Sequence, residues 1–376
     1  MIKLDEYFKQ KTKNISFIEV KAETYIDVNG YRVTEEIPLP IIVDDLIEQV
    51  KEDDVSEEIK FASFINGIVY TLGVDPKFKY FGEYKKILYS YDEKIEDYII
   101  YKSLKNINEE QLELGLIWLR ALSFINNKNL FGKYNYALAI AERAKEAFEL
   151  KDIELGKEFL DASTLILEEI LRDDPEFHLA HYKLGYHYKS RKEYKKSQIT
   201  WEKFLRFGKE PELIDEVREC LEAMKDDVIY EEGYNLILEG YSEDGLEKLM
   251  PIADRYDKWW NLLFMIGLGY RQLGQFDKAK EYFEKVIELE EDQVDTLNEL
   301  GLCMVYMGEV EEALRNFSKA IELRPSDYEI LCNRGMTYLQ IRDIENARRD
   351  ILKAYEIDSN DEITIACINE LDNYIE

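Results

Sequence analysis

The sequence predicts a mostly α-helical chain: an α-solenoid of stacked helical hairpins, preceded by an N-terminal helical region that carries one β-hairpin. Three observations predict it. From Trp260 onward, small residues recur with a period of 34 residues. From Val43 onward the apolar spacing is helical. Near the N-terminus one stretch alternates strictly and ends at Asn29-Gly30, the strongest short hairpin signal, because a type I′ turn needs two residues at positive φ. The chain has 376 residues, 46% of them hydrophobic, ample for a buried core.

The hairpin comes first in the chain. Over residues 16–28, Ile18, Val20, Ala22, Thr24, Ile26 and Val28 share one face, and Glu19, Lys21, Glu23 and Asp27 share the other. Across the Asn29-Gly30 turn, Ile26 faces Val33 and Asp27 faces Arg32, so apolar groups pair on one side and charges on the other. The expected hairpin spans about 16–36 and is ended by Pro38 and Pro40. A lone hairpin is marginal in water, so its apolar face must dock on helices or on a second copy of the chain. Helices are expected at 43–52, 56–72, 80–89, 91–104 and 108–125, with Asp75-Pro76 breaking the run. Leu114, Gly115 and Trp118 imitate positions 7, 8 and 11 of the repeat found downstream, but no good second helix follows in phase. The expected division is an N-terminal region, 1–130, and a superhelix, 131–376.

In the repeats, segments starting at Trp260, Val294 and Tyr328 align. Position 8 is Gly267, Gly301 and Gly335; position 20 is Ala279, Ala313 and Ala347; position 24 is Phe283, Phe317 and Ile351. Small residues at 8 and 20 let two helices approach closely, and large ones at 4, 11, 17 and 24 fill the space around them. One such unit cannot bury its apolar face alone, so neighbours share a core. The stretch LGLCMVYMGEVEEALRNFSKAIELRP resembles the tetratricopeptide repeat family closely. Looser units start near His178, with Gly185 and Trp201, and near Asp226, with Gly233 and Gly245. An extra helix, Glu212 to Met224, lies between them outside the period. A degenerate pair is expected at Tyr134–Leu150 and Ile153–Arg172, and Glu362–Ile375 reads as a capping helix. The resemblance covers about residues 134–376.

Composition excludes several functions. Lys and Arg total 49 against 79 Asp and Glu, a formal net charge of −30. Binding a nucleic-acid backbone needs clustered cations, so nucleic acid is a poor partner. The same charge opposes anionic membrane surfaces. Aromatic residues make up 13% of the chain, which argues against acidic disorder. No apolar signal segment follows the N-terminal Met-Ile-Lys-Leu-Asp-Glu-Tyr, and the apolar run Leu262 to Tyr270 is too short to span a bilayer. A cytoplasmic location is expected. Cys220, Cys303, Cys332 and Cys367 form no Cys-x-x-Cys pattern and read as small buried hydrophobes.

No catalytic arrangement, metal site or cofactor is expected. His178 and His181 stand at i, i+3, but His181 falls at a core position and a third ligand is missing from the pattern. Gly267-Leu-Gly269 follows no strand, which rejects a dinucleotide fingerprint.

Positions 2, 5, 9 and 12 of each first helix form a stripe of their own, separate from the positions that pack the hairpin. In the family that this chain resembles, the stripe lines a concave peptide-binding groove, with position 13 beside it. Here it holds Tyr182, Tyr186, Tyr230, Tyr234, Phe264, Leu268, Leu302, Tyr306, Met336 and Leu339, interleaved with Arg271 and Asn298. Aromatic and aliphatic composition is that of a protein-binding surface, each side chain contributing ~1.5–3 kcal/mol when buried. Neighbouring repeats or the N-terminal region could instead bury it. Asp295 and Glu329 at position 2 oppose a carboxylate-clamping variant of the family groove. The expected partner is a protein or peptide segment, basic or amphipathic, steered by the acidic surroundings. Two rivals stand beside this non-enzymatic scaffold: a bacterial peptide-sensing regulator built on such repeats, and an enzyme with its site in residues 1–130. A homo-oligomer formed through the hairpin or an uncapped solenoid end stays open.

Overall fold

The computed structural model describes residues 2–44 and 60–375. The expected helix 43–52 lies outside the described residues from 45 onward, as do the first four positions of the helix expected at 56–72. The chain forms two compact units that divide after Glu219.

The first unit opens with α1 (Ile2–Lys9) and a 3₁₀ turn, followed by four short strands, β1 (Ile15–Ile18), β2 (Tyr25–Val28), β3 (Tyr31–Thr34) and β4 (Leu39–Ile42). β2 and β3 pair antiparallel in the expected register, Ile26 opposite Val33 and Asp27 opposite Arg32. Asn29 and Gly30 form the turn at φ 48° and 91°. The Asn29 side chain also donates to the carbonyls of Ser90 (2.8 Å) and Tyr91 (3.2 Å), anchoring the turn.

One expectation is corrected here. Residues 16–28 are not one strand: the chain turns at Lys21–Thr24, with Glu23 at φ 61°, and β1 pairs with β4 instead, Phe17 opposite Pro40. Pro40 therefore lies within a strand. In a two-stranded sheet each strand keeps a free edge, where a missing N–H need cost no ladder bond. β4 is buried because it lies on α2 (Phe61–Val74). A Cβ on Gly67 would stand 2.1 Å from the Pro40 carbonyl oxygen, so only glycine fits there.

α3 (Phe81–Tyr91), α4 (Ile95–Asn108) and α5 (Leu112–Ile125) follow. Glu96 joins three segments, accepting from Tyr89 Oη (2.5 Å), Asn126 Nδ2 (3.0 Å) and Asn129 Nδ2 (2.7 Å). Burial opposes its charge, but these hydrogen bonds and Lys85 outweigh that and hold the carboxyl below its usual range. Arg120 is buried at 2% exposure, donates to the Gly73 carbonyl and Asp5, and lies 4.5 Å from the Phe8 ring centroid.

α6 (Leu130–Glu149), α7 (Ile153–Asp173), α8 (His178–Ser190) and α9 (Tyr194–Phe207) complete this unit's hairpins. One apolar core runs from Phe8 through Leu39, Ile68 and Leu116 to Phe159, so it crosses the 130/131 boundary expected from sequence. α10 (Pro211–Ala223) is the extra helix outside the period.

The second unit holds α11 (Lys225–Leu238), α12 (Ser242–Ala253), α13 (Trp260–Gln272), α14 (Phe276–Leu289), α15 (Val294–Met307), α16 (Val310–Leu323), α17 (Tyr328–Gln340), α18 (Ile344–Ile357) and α19 (Glu362–Ile375). The repeat arithmetic appears directly in the packing. A Cβ on Gly267, Gly301 or Gly335 would meet Phe283, Phe317 or Ile351 at 2.6–2.7 Å. Gly233 faces Leu249 in the same way, and in the first unit Gly185 faces Trp201.

The packing of Gly115 explains why no second helix follows it in phase. Gly115 lies on Ile107 and the Ser103 carbonyl of the preceding helix, just as Gly245 packs on Ile237 and the Gly233 carbonyl. It therefore serves as position 20 of the hairpin α4–α5, with buried Ser103 at position 8, and does not begin a repeat. α19 packs on α17 and α18, as a capping helix should.

Candidate partner-binding face

The first helices of the second unit's hairpins, α11, α13, α15 and α17, lie side by side, so their stripe positions share a surface. Exposure sorts the expected residues. Tyr234 is 36% exposed and Tyr306 67%. Tyr230, Phe264, Leu268, Leu302 and Met336 are half-buried, one side resting on the core and the other open. Phe264 rests on Phe283 with ring centroids 5.7 Å apart, and Tyr306 stacks on Phe276 at 4.5 Å and 4°.

Three expected members are not part of this second-unit row: Leu339, which is buried, and Tyr182 and Tyr186, which belong to the first unit. Leu339 is 1% exposed, because α19 packs against α17 in the cluster that holds it. Tyr182, in the first unit, is 7% exposed and donates to Glu216 of α10 (2.9 Å). Tyr186 donates to the same carboxylate and sets its ring edge-on to Trp201 at 4.8 Å. It also borders a largely apolar cleft of about 530 Å³ with Ala141, Ala144, Phe148, Leu160 and His187. Burial, with Arg191 and Lys183 nearby, pushes the His187 imidazole down to about 4, so it is neutral at pH 7.

The polar members are engaged within the chain. Arg271 forms an ion pair with Glu299, whose carboxyl burial nonetheless pushes up, Arg271 offsetting part of the rise. Asn298 accepts from Asn333 Nδ2 at 2.9 Å. Arg324 bridges Asp295 (2.9 Å) and Asp327 (3.1 Å) beside a polar cleft of about 390 Å³ that Glu329 also lines. The cation at this cleft is thus already taken by the chain's own carboxylates, and the cleft is not built for an anion.

The two imidazoles considered for metal part ways. His178 faces Glu210 at 3.1 Å, while His181 Nε2 contacts the Pro175 carbonyl at 2.8 Å. Among the described residues, no three His, Cys, Asp or Glu side chains converge as a metal site. Cys332 and Cys367, 35 residues apart, are buried neighbours on α17 and α19.

Sequence reasoning missed Tyr256 and Trp259, in the turn between α12 and α13 and outside the stripe. Trp259 lies 4.7 Å from Tyr230 and 5.6 Å from Tyr256, ring centroid to centroid, and Tyr230 lies 6.0 Å from Tyr234. The signal available was a loop that carries aromatic residues where a polar turn is expected.

Comparison with known proteins agrees with this architecture. The tetratricopeptide-repeat family model matches residues 261–293 and 328–361, and a second TPR-repeat model matches 303–341. Residues 261–361 of this chain are tetratricopeptide repeats. The geometry at Gly185 and Gly233 carries the same packing upstream of the matched segment. No curated protein matches the chain. Among solved structures, PilF of Pseudomonas aeruginosa is 16% identical, covering 64% of this chain and 99% of its own, with TM-score 0.40. A tetratricopeptide repeat protein from Parabacteroides merdae ATCC 43184 is 14% identical, covering 74% and 98%, with TM-score 0.37. YrrB, a TPR protein, is 19% identical, covering 62% and 92%, with TM-score 0.28. Among the described residues, no helix is long and apolar enough to cross a membrane.

Proposed function

We propose that this protein is a non-catalytic interaction scaffold that binds a segment of a partner protein across the first-helix face of its second unit. The observation that carries the reading is the row of aromatic and aliphatic side chains left partly open on α11, α13, α15 and α17, from Tyr230 and Tyr234 to Met336. Stripe positions facing only water would be polar, and here Tyr230, Phe264, Leu268, Leu302 and Met336 each pack one side on the core and leave the other open. Each open ring or aliphatic chain offers apolar area that a partner can remove from water, with the backbone beneath already fixed by the repeat core. The excess of carboxylates favours a basic or amphipathic segment and speeds its approach.

The test is quantitative capture from lysate of the source organism, with three baits verified by circular dichroism. Wild type is compared with Tyr234→Ala combined with Leu302→Asp, and with Leu352→Asp, a control on the exposed side of α18. Proteins retained by wild type and the control but lost by the double variant, and then bound directly as purified proteins, support the face. Equal retention by all three removes it.

A further inference from the structure

Four rings form a continuous ladder in the second unit: Tyr234, Tyr230, Trp259 and Tyr256, with successive centroids 6.0, 4.7 and 5.6 Å apart. The inner two are half-buried, and the outer two are open, Tyr234 at 36% and Tyr256 at 41% exposure. The ladder is fixed from below and at its end. Tyr230 packs on the core of α12 and α13, and burial together with Tyr234 pushes its hydroxyl up to about 12. Tyr256 Oη donates to Asp226 at 2.9 Å, and Arg255 is held by the same carboxylate at 2.5 Å.

We propose that this ladder is a cation-recognising subsite that takes arginine side chains of the partner segment. The inference rests on the partner-binding reading above and names what the α11 end of that face selects. Ring faces carry negative potential, and a guanidinium is planar, weakly hydrated and always charged, so it stacks on them with little desolvation cost. Charge complementarity selects this occupant over an apolar or acidic one: Asp226, Asp227, Asp254 and Asp257 flank the rings in sequence, against Lys225, Arg255 and Lys258, with Arg255 already paired to Asp226. Elsewhere the chain places its own cations on rings, Arg120 over Phe8 at 4.5 Å and Lys196 over Tyr188 at 4.0 Å. Among the described residues none of the chain's cations lies over the four ladder rings. The two open rings, Tyr234 and Tyr256, stand at opposite ends of the ladder, which suits arginines spaced along an extended segment.

The test uses the full chain and two fluorescein-labelled dodecapeptides, one alternating arginine with leucine and one alternating citrulline with leucine. Citrulline keeps the shape and loses the charge. Anisotropy titrations are run at low and high salt. The expected result is tighter binding of the arginine peptide, by roughly tenfold, with an advantage that shrinks as salt rises. Tyr234→Leu and Trp259→Leu each weaken the arginine peptide by roughly 3- to 30-fold and leave the citrulline peptide nearly unchanged, while Tyr234→Phe keeps wild-type affinity. Tyr234 is at the surface, so its variants test the idea even where Trp259→Leu disturbs the fold. Equal binding of the two peptides, both lost in Leu302→Asp, overturns the cation subsite and leaves the partner-binding face standing. Arginine binding that is indifferent to Tyr234→Leu and Trp259→Leu, or absent altogether, also overturns the subsite; the face is then judged by the capture experiment alone.

Discussion

Gly301 meets Phe317, sixteen residues further on, whereas Phe8 is buried under Arg120, more than a hundred residues away. The repeats of the second unit build their core from near neighbours, so each hairpin needs only itself and the next one. The N-terminal region gathers Phe8, Leu39, Ile68 and Leu116 from separate elements into a single cluster. A locally built core fails locally; a core of distant parts must form, and fail, as a whole. The repeats leave a periodic row of side chains partly open, while the exposed apolar residues of the N-terminal region, such as Phe17, Tyr25 and Tyr101, follow no such period.

The largest expected effects come from deleting one buried ring in each region. Phe8→Ala and Phe317→Ala should each cost ~3–5 kcal/mol. Hydrogen exchange separates them: Phe8→Ala should raise exchange across α2 to α5 together, Phe317→Ala only in α15 to α18. An effect of Phe8→Ala confined to α1 would break the comparison.

Next come two arginines, Arg120 buried and Arg334 half-buried. Arg334 holds Asp350 through two bonds (2.7 and 2.9 Å), and Asp350 is 2% exposed. Arg334→Met strands that charge and should cost ~3–5 kcal/mol in urea unfolding. Arg120→Met leaves Asp5, whose side chain is 58% exposed, free to hydrate. It strands the Gly73 carbonyl and takes a partner from the buried Tyr136 hydroxyl, at ~1–3 kcal/mol each. A cost of Arg334→Met below ~1 kcal/mol would contradict the account.

Two glycine changes sharpen the reading of position 8. Gly301→Ala forces a Cβ to 2.6 Å from Phe317 and should destabilise by ~1–3 kcal/mol. A methyl added at Gly82, in α3, would meet nothing within 4 Å, and Gly82→Ala should stabilise by ~0.4–1 kcal/mol in thermal or urea unfolding.

The smallest effects concern pH, and the two units should respond with opposite sign. Glu96 has its folded pKa lowered, so its stabilisation is present above the unfolded carboxylate value of ~4.3 and is lost as pH falls through the folded value. The stability difference between wild type and Glu96→Gln should therefore hold to about pH 5 and shrink below ~4. Glu299 has its folded pKa raised by burial, so its charged form burdens the second unit at neutral pH and that burden lifts as pH falls through the folded value. Unit-resolved exchange between pH 7 and 3 checks both.

Local relations were legible in the sequence, and remote ones stayed dark. Asn29-Gly30 set the register of Ile26 against Val33, and the glycines at position 8 named their own partners. The alternation through residues 19–24 misled, because side-chain period persists where no partner strand follows. Gly115 suits position 8 or position 20 equally well, and only the neighbouring Ser103 decides between them. Tyr182 and Leu339 fit the stripe, yet α10 and α19, both outside the period, account for their burial or bonding. Tyr256 and Trp259 were invisible to a positional rule because a turn places them.

The most direct test of the central claim is photo-cross-linking with benzoylphenylalanine, placed at position 234 on α11 or at position 355 on the exposed side of α18. The account predicts partner adducts from position 234, competed away by excess arginine–leucine peptide, and none from position 355. Adducts from position 355 alone would contradict it and move the binding surface to the second helices.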